Sequence, residues 1–157
     1  MSDSTSKTKS IEDFATELFS LRPAQEKDLV YINSYAYTEG MDNVPSTDLV
    51  WVAVNDQDIP VGFIRISNVD GTTGHINPVV ILDSWRGYGV GKALVDYAQT
   101  LYPELRLVSR GTSHKFYDAL DFETCEWDLI AEEVASECDG CPMYEECGPQ
   151  PYRRIVE

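Results

Sequence analysis

Three glycines at alternate positions, Gly87, Gly89 and Gly91, form the part of this chain best suited to binding a ligand. They follow an apolar run at 79–82 and precede a helical pattern, so they occupy a turn from a strand into a helix. Glycine leaves backbone N–H groups uncovered, and the start of a helix carries partial positive charge. The turn therefore predicts an anion site, with a tight turn that binds nothing as the alternative.

The spacing of these glycines narrows the kind of anion site. It does not fit Gly-x-Gly-x-x-Gly, and the turn lacks the Gly-Lys-Ser/Thr of a P-loop. The pattern is Arg-x-x-Gly-x-Gly, which begins at Arg86 and is followed by Lys92. Both cationic side chains are suited to charge-assisted bonds with phosphate.

Length and charge restrict the protein class. A chain of 157 residues with 43% hydrophobic residues predicts one domain with a real core. The net charge of −15 argues against a nucleic-acid partner. It suits a cationic substrate such as an amine, with solubility or salt adaptation as the alternative.

The composition along the chain predicts a cytoplasmic protein with no membrane partner. The sequence contains no apolar run near the ~20 residues of a membrane span, and its start is too polar for a signal peptide. We expect a disordered leader at 1–16, a main domain at 17–135 and a cysteine-containing extension at 136–157.

The pattern of apolar residues predicts antiparallel strands followed by strand, glycine turn, helix, strand, helix and strand. Strands are expected at 18–21, 48–55, 61–67, 75–82, 105–108 and 122–129, and helices from 22 and at 90–101, 113–120 and 131–137. Residues 152–157 are expected to be a loose end. This order implies a mixed α/β sheet with parallel central strands.

Two segments in this order resemble the GNAT superfamily of acyl-CoA-dependent N-acetyltransferases. The first is Arg86-Gly-Tyr-Gly-Val-Gly91 with its preceding strand. The second, Phe116-Tyr-Asp-Ala-Leu-Asp-Phe122, is similar to the family's Phe-Tyr-x-x-Leu-Gly-Phe. The resemblance covers residues 18–129. It implies an α/β (α+β) fold with a mostly antiparallel sheet, two splayed parallel central strands and flanking helices.

The resemblance also implies a reaction and a cosubstrate. An acetyl group would pass from acetyl-CoA to a primary amine of a small molecule or peptide, by direct attack on the thioester. Tyr117 matches the family's general acid, which protonates the leaving thiolate; a tyrosine packed for its area is the alternative. The residues implied to line the pantetheine arm are Val79, Val80 and Ile81. Those implied to hold the pyrophosphate are Arg86, Gly87, Tyr88, Gly89, Val90, Gly91 and Lys92.

Two positions depart from the family pattern. Arg110 stands where the family has Asn. Asp121 replaces the Gly of Leu-Gly-Phe, so the local turn must accept a Cβ, which Asp does more readily than most residues.

The residue that removes the amine proton is left open by the sequence. Candidates are Glu39 and Asp42 in a loop, the two histidines His75 and His114, and a water relay. Four aromatic residues are candidates for the acceptor side, with core packing as the alternative: Tyr35, Tyr37, Trp51 and Phe63.

The cysteines suggest a separate chemistry. Cys138, Cys141 and Cys147 have C-x₂-C-x₅-C spacing, and Cys125 precedes them. The set fits a zinc or iron–sulfur site, free thiols, or a disulfide or redox sensor. The cysteines make a metal- or redox-responsive interaction protein an alternative function. A non-catalytic acyl-CoA-binding protein is a second alternative. The tail is also compatible with a homodimer contact.

Overall fold

The computed structural model describes residues 10–111, 113–138, 140, 142 and 144–156, with the side chain of residue 138 excluded. Its strands are β1 (Ser20–Pro23), β2 (Val50–Val54), β3 (Pro60–Asp70), β4 (Thr73–Ile81), β5 (Glu104–Ser109), β6 (Glu123–Thr124) and β7 (Gln150–Ile155). Its helices are α1 (Leu29–Thr38), α2 (Val90–Leu101), α3 (Ser113–Ala119), α4 (Glu132–Ala135) and α5 (Tyr144–Cys147).

The strands of these residues form one seven-stranded sheet in the order β1-β2-β3-β4-β5-β7-β6. β1 pairs with β2, β2 with β3, β5 with β7 and β6 with β7, all antiparallel, whereas β4 and β5 are parallel. The predicted mixed, mostly antiparallel sheet is confirmed.

The parallel pairing of β4 with β5 is short. Its register in the described residues runs from Thr73↔Glu104 to His75↔Arg106, while β4 continues to Ile81 and β5 to Ser109. Pro78 lies in the later part of β4 and has no N–H to contribute to a ladder. The last residues of β4 are the ones that lead into the glycine turn.

The chain divides into two compact units. The first contains the described residues up to Arg65 together with Pro78–Thr100. Its core forms because β2 consists of β-formers and α2 presents one apolar face, with Val90, Leu94, Val95 and Ala98 buried. A further buried cluster joins α1, β2, β3 and β4: Ile32, Ala36, Val44, Val50, Val52, Val54, Phe63 and Val80.

The second unit contains Ile66–Asn77 and the described residues from Leu101 onward. Alternate residues of β5, Leu105, Leu107 and Ser109, are buried. Ile76, Tyr117, Phe122 and Tyr152 are also buried in this unit.

Two predictions at the end of the chain were wrong. The strand expected at 122–129 is reduced to β6, and Trp127–Leu129 forms a 3₁₀ turn instead. The expected loose end contains β7, which pairs with both β5 and β6. Arg153 and Arg154 give this strand a solvent-exposed sequence pattern. Arg153 lies 3.5 Å from Glu123, and the Arg154 guanidinium lies 4.9 Å from the Phe122 ring centroid.

Two further features concern the start of the chain and the length of the helices. Residues 1–9 of the expected leader lie outside the described residues, and Ile11–Phe14 forms a 3₁₀ turn. In the described part of the chain, every helix is too short or too polar to cross a bilayer.

Candidate functional site

The glycine turn has the backbone geometry of an anion site. Gly87 and Gly89 have φ of +90° and +83°, values that L side chains adopt only with strain. α2 begins at Val90, and the Ala93 N–H donates to the Gly89 carbonyl at 3.0 Å. The three preceding N–H groups, from Val90 to Lys92, belong to the first turn of the helix and have no carbonyl one turn before them in the helix.

The backbone of this turn is open on one side. A Cβ placed on Gly87 or Gly89 would meet no heavy atom of the described residues within 4 Å, so the backbone is open on that side. Gly91 is buried in α2, and Tyr88 is 52% exposed beside Trp85, with 5.6 Å between ring centroids. The first-turn N–H groups and the helix dipole supply the positive potential that an anion needs.

The side chains of Val79, Val80 and Ile81, at the end of β4, differ in burial. Val80 is buried in the core cluster of the first unit, whereas Val79 and Ile81 are half-buried. The role implied for Val80 therefore depends on its backbone groups.

Gly62, which the sequence analysis did not single out, permits the close packing of β3 against the end of β4. A Cβ there would lie 2.8 Å from Ile81 Cδ1 and 3.1 Å from the Val80 carbonyl oxygen. A glycine inside a strand pattern was the available signal.

Both cations of the turn are paired with carboxylates. Lys92 Nζ lies 2.6 Å from Asp96 Oδ2, one helical turn away. Arg86 Nε lies 3.2 Å from Asp83 Oδ1, and Arg86 Nη2 lies 3.5 Å from Glu39 Oε2. The pair between Lys92 and Asp96 could be predicted from their i,i+4 spacing in a helix. The pair between Arg86 and Glu39, 47 positions apart in the printed sequence, could not.

Tyr117 lies on α3 in the second unit and is buried among aromatic rings. Its ring centroid is 4.9 Å from that of Phe116, 5.3 Å from Phe122 and 6.2 Å from Tyr152. Burial raises the pKa of its phenol well above the ordinary value, so the hydroxyl is protonated at neutral pH. A protonated hydroxyl can donate a hydrogen bond, and the same rise in pKa makes the phenol a weaker acid. Its part in catalysis remains a prediction.

The two departures from the family pattern have local explanations. Asp121 has φ +65°, so a left-handed residue is required after Leu120, and an aspartate provides it. Arg110, in place of Asn, pairs with Glu137 at 3.6 Å, and its backbone N–H donates to Ser113 Oγ.

Both histidines have their ring nitrogens occupied within the second unit. His75 Nε2 accepts from the Ala131 N–H at 3.0 Å, and Nδ1 lies 3.3 Å from the Asn68 carbonyl oxygen. Burial is the main influence on His75 and lowers the pKa of its imidazole. His114 contacts Ser109 Oγ at 2.7 Å and the Gly148 carbonyl oxygen at 2.9 Å. These contacts favour a structural role for each histidine over that of a general base.

The four acceptor-side aromatics occupy different environments in the first unit. Phe63 is fully buried in the core cluster, and Trp51 packs against Tyr97 with 5.9 Å between ring centroids. The Tyr35 hydroxyl donates to the Pro60 carbonyl at 2.7 Å. Tyr37 is 84% exposed on α1. Core packing therefore accounts for Phe63, whereas Tyr37 is free to contact a ligand.

The cysteines form no metal cluster within the described residues. Cys125 and Cys147 are free thiols, and burial raises the pKa of Cys125, which disfavours its thiolate. Cys141 lies outside the described residues, as does the side chain of Cys138. The predicted zinc or iron–sulfur site therefore stays a prediction.

Comparison with known proteins identifies the family to which the chain belongs. Residues 46–124, half of the chain, match the acetyltransferase (GNAT) domain. Over 64 residues the chain is 45% identical to the peptidyl-lysine N-acetyltransferase YjaB of Salmonella typhimurium. The matched segment is 41% of this chain and 40% of that protein. The chain thus matches about two fifths of the length of this relative.

Two solved structures share the fold at low sequence identity. Rv2747 from Mycobacterium tuberculosis, in complex with CoA and NLQ, has a TM-score of 0.68 and 16% identity over 87% of this chain and 99% of its own. N-acetylglutamate synthase from Neisseria gonorrhoeae, complexed with coenzyme A and N-acetyl-glutamate, has a TM-score of 0.70 and 13% identity over 91% of this chain and 36% of its own. The chain belongs to the GNAT acetyltransferase family.

Proposed function

We propose that this protein transfers an acetyl group from acetyl-CoA to a primary amine, and that a peptide lysine is the acceptor. The observation that carries the proposal is the open glycine turn, with positive φ at Gly87 and Gly89, directly before α2. Family membership supports acetyl-CoA as the cosubstrate. The name of the Salmonella relative and the net charge of −15 support a cationic lysine as the acceptor.

Different backbone groups of the chain would bind the diphosphate, bind the pantetheine arm and stabilise the oxyanion. The N–H groups of the glycine turn and of Val90 to Lys92 would bind the diphosphate. The main chain of 79–81 would pair with the pantetheine arm. An N–H of Val80 or Ile81 would stabilise the oxyanion that develops as the amine attacks, an effect of about 3 kcal/mol for one donor.

The reaction needs one proton removed and one supplied. A lysine amine of pKa about 10.4 is neutral in roughly one molecule in 2,500 at pH 7, which costs about 4.6 kcal/mol. Attack of the amine forms the C–N bond and the oxyanion, collapse of the oxyanion breaks the C–S bond, and Tyr117 would protonate the departing thiolate. With both histidines occupied by structural bonds, Glu39, Asp42 or a bound water would accept the amine proton.

The test is release of the CoA thiol by the purified full chain, with acetyl-CoA and a lysine-containing peptide. Thiol release should require the peptide, and the peptide should gain the mass of one acetyl group. The same peptide with its lysine already acetylated is the control and should give no thiol. CoA binding without turnover on any peptide or small amine would instead support the non-catalytic alternative.

A further inference from the structure

The Arg86 side chain connects the glycine turn to the end of another helix. Its guanidinium lies between Asp83, three positions earlier, and Glu39, which follows α1. The Glu39 N–H donates to the carbonyls of Tyr35 and Ala36, so the backbone that carries its carboxylate is fixed by the helix. Asp83 is in the 3₁₀ turn directly before Arg86, whereas Glu39 comes from a distant part of the sequence.

We propose that Glu39 is a positioning residue that competes with the cofactor diphosphate for Arg86. In the free protein Glu39 draws the guanidinium away from the diphosphate site. When CoA binds, Arg86 leaves Glu39 and bonds the diphosphate. This inference rests on the proposed function, because it requires the diphosphate to occupy the glycine turn.

The exposure of the pair makes such an exchange easy. Arg86 is 57% and Glu39 is 34% exposed, and ion pairs of this kind contribute little to stability. A guanidinium bonds two phosphate oxygens with its planar fork, which is the stronger contact. The binding energy of CoA is then reduced by the broken Arg86–Glu39 pair. Removing the Glu39 charge should tighten CoA binding.

The experiment is a double-mutant cycle on CoA affinity, measured by calorimetry with the full chain. Glu39→Gln should bind CoA about two- to fivefold more tightly than the wild type, the range expected for an exposed ion pair. Arg86→Gln should bind CoA more weakly. Adding Glu39→Gln to Arg86→Gln should change the affinity less than 1.5-fold, because the competition needs the guanidinium.

Asp58→Asn is the matched control. Asp58 lies in the same unit and pairs with Arg22 at 2.9 Å and with Lys27 at 2.7 Å. This variant therefore also removes one negative charge and one arginine pair, together with a lysine pair. It should leave CoA affinity unchanged. If Asp58→Asn tightens binding as much as Glu39→Gln does, general repulsion explains the effect and the inference is wrong.

The remaining outcomes separate this inference from the proposed function. Unchanged or weaker CoA binding by Glu39→Gln contradicts the competition alone, as does equal tightening in the Arg86→Gln background. A wild type that does not bind CoA contradicts the proposed function as well.

Discussion

Replacing Gly89 with valine should destabilise the protein through strain in the backbone of the glycine turn. Gly89 has φ +83°, and a Cβ there has no heavy atom of the described residues within 4 Å, so the cost is backbone strain rather than a clash. Strain of this kind costs about 1–2 kcal/mol. For a chain of this size the melting temperature should fall by roughly 2–8 °C.

The added side chain also covers the N–H groups that are open to the diphosphate. A hydrogen bond to a charged group contributes about 1.5–3 kcal/mol, so one lost bond weakens CoA binding by roughly 10- to 150-fold. At a hundredfold excess over its dissociation constant, CoA stabilises the wild type by about 2.7 kcal/mol. This corresponds to a rise of roughly 5–11 °C in melting temperature, of which Gly89→Val should lose about half to nine tenths.

Gly71→Val separates strain from loss of the site. Gly71 lies in the β3–β4 turn with φ +62° and equal open space, so the variant carries a comparable strain. Thermal denaturation with and without CoA should show both variants destabilised, and only Gly89→Val with its CoA shift reduced by about half or more. A full CoA shift in Gly89→Val would refute the assignment of the turn.

Three further predictions concern the reaction and the fold. Tyr117→Phe should lower kcat at least tenfold and leave CoA affinity within about twofold, and an unchanged kcat removes Tyr117 from the mechanism. The wild type should lose free energy of unfolding as pH falls below about 6.5, because burial lowers the pKa of His75 and the unfolded chain binds the extra proton. In urea titrations at pH 7 and 5, His75→Gln should lose this part of the pH dependence; an equal dependence in both proteins contradicts it. KM for a lysine peptide should rise with ionic strength, as expected for a cation attracted to a chain of charge −15, and a KM independent of salt would exclude steering.

The sequence was sufficient for the features that depend on local patterns. The turn from a strand into a helix at the glycines and the bounds of α2 follow from glycine spacing and helical periodicity, and both were predicted. Asp121 was likewise expected to occupy an unusual turn, and its φ of +65° confirms this.

The sequence was insufficient where distant segments decide the structure. β7 forms by pairing with β5 and β6. Its two consecutive arginines interrupt the run of apolar residues that would have predicted a strand. The pairing of Arg86 with Glu39 depends on how α1 packs near the turn, which no spacing rule encodes. The occupied nitrogens of His75 depend on the backbone of Asn68 and Ala131, so the sequence left it among the candidate bases.

Binding of the diphosphate by the glycine turn is tested most directly by the backbone N–H signals of the turn. Two-dimensional ¹H–¹⁵N NMR spectra should be recorded while CoA is titrated into the ¹⁵N-labelled full chain. The signals of Gly87, Gly89 and Gly91 should shift most and saturate together. Saturation of CoA binding with these three signals unmoved would contradict the assignment.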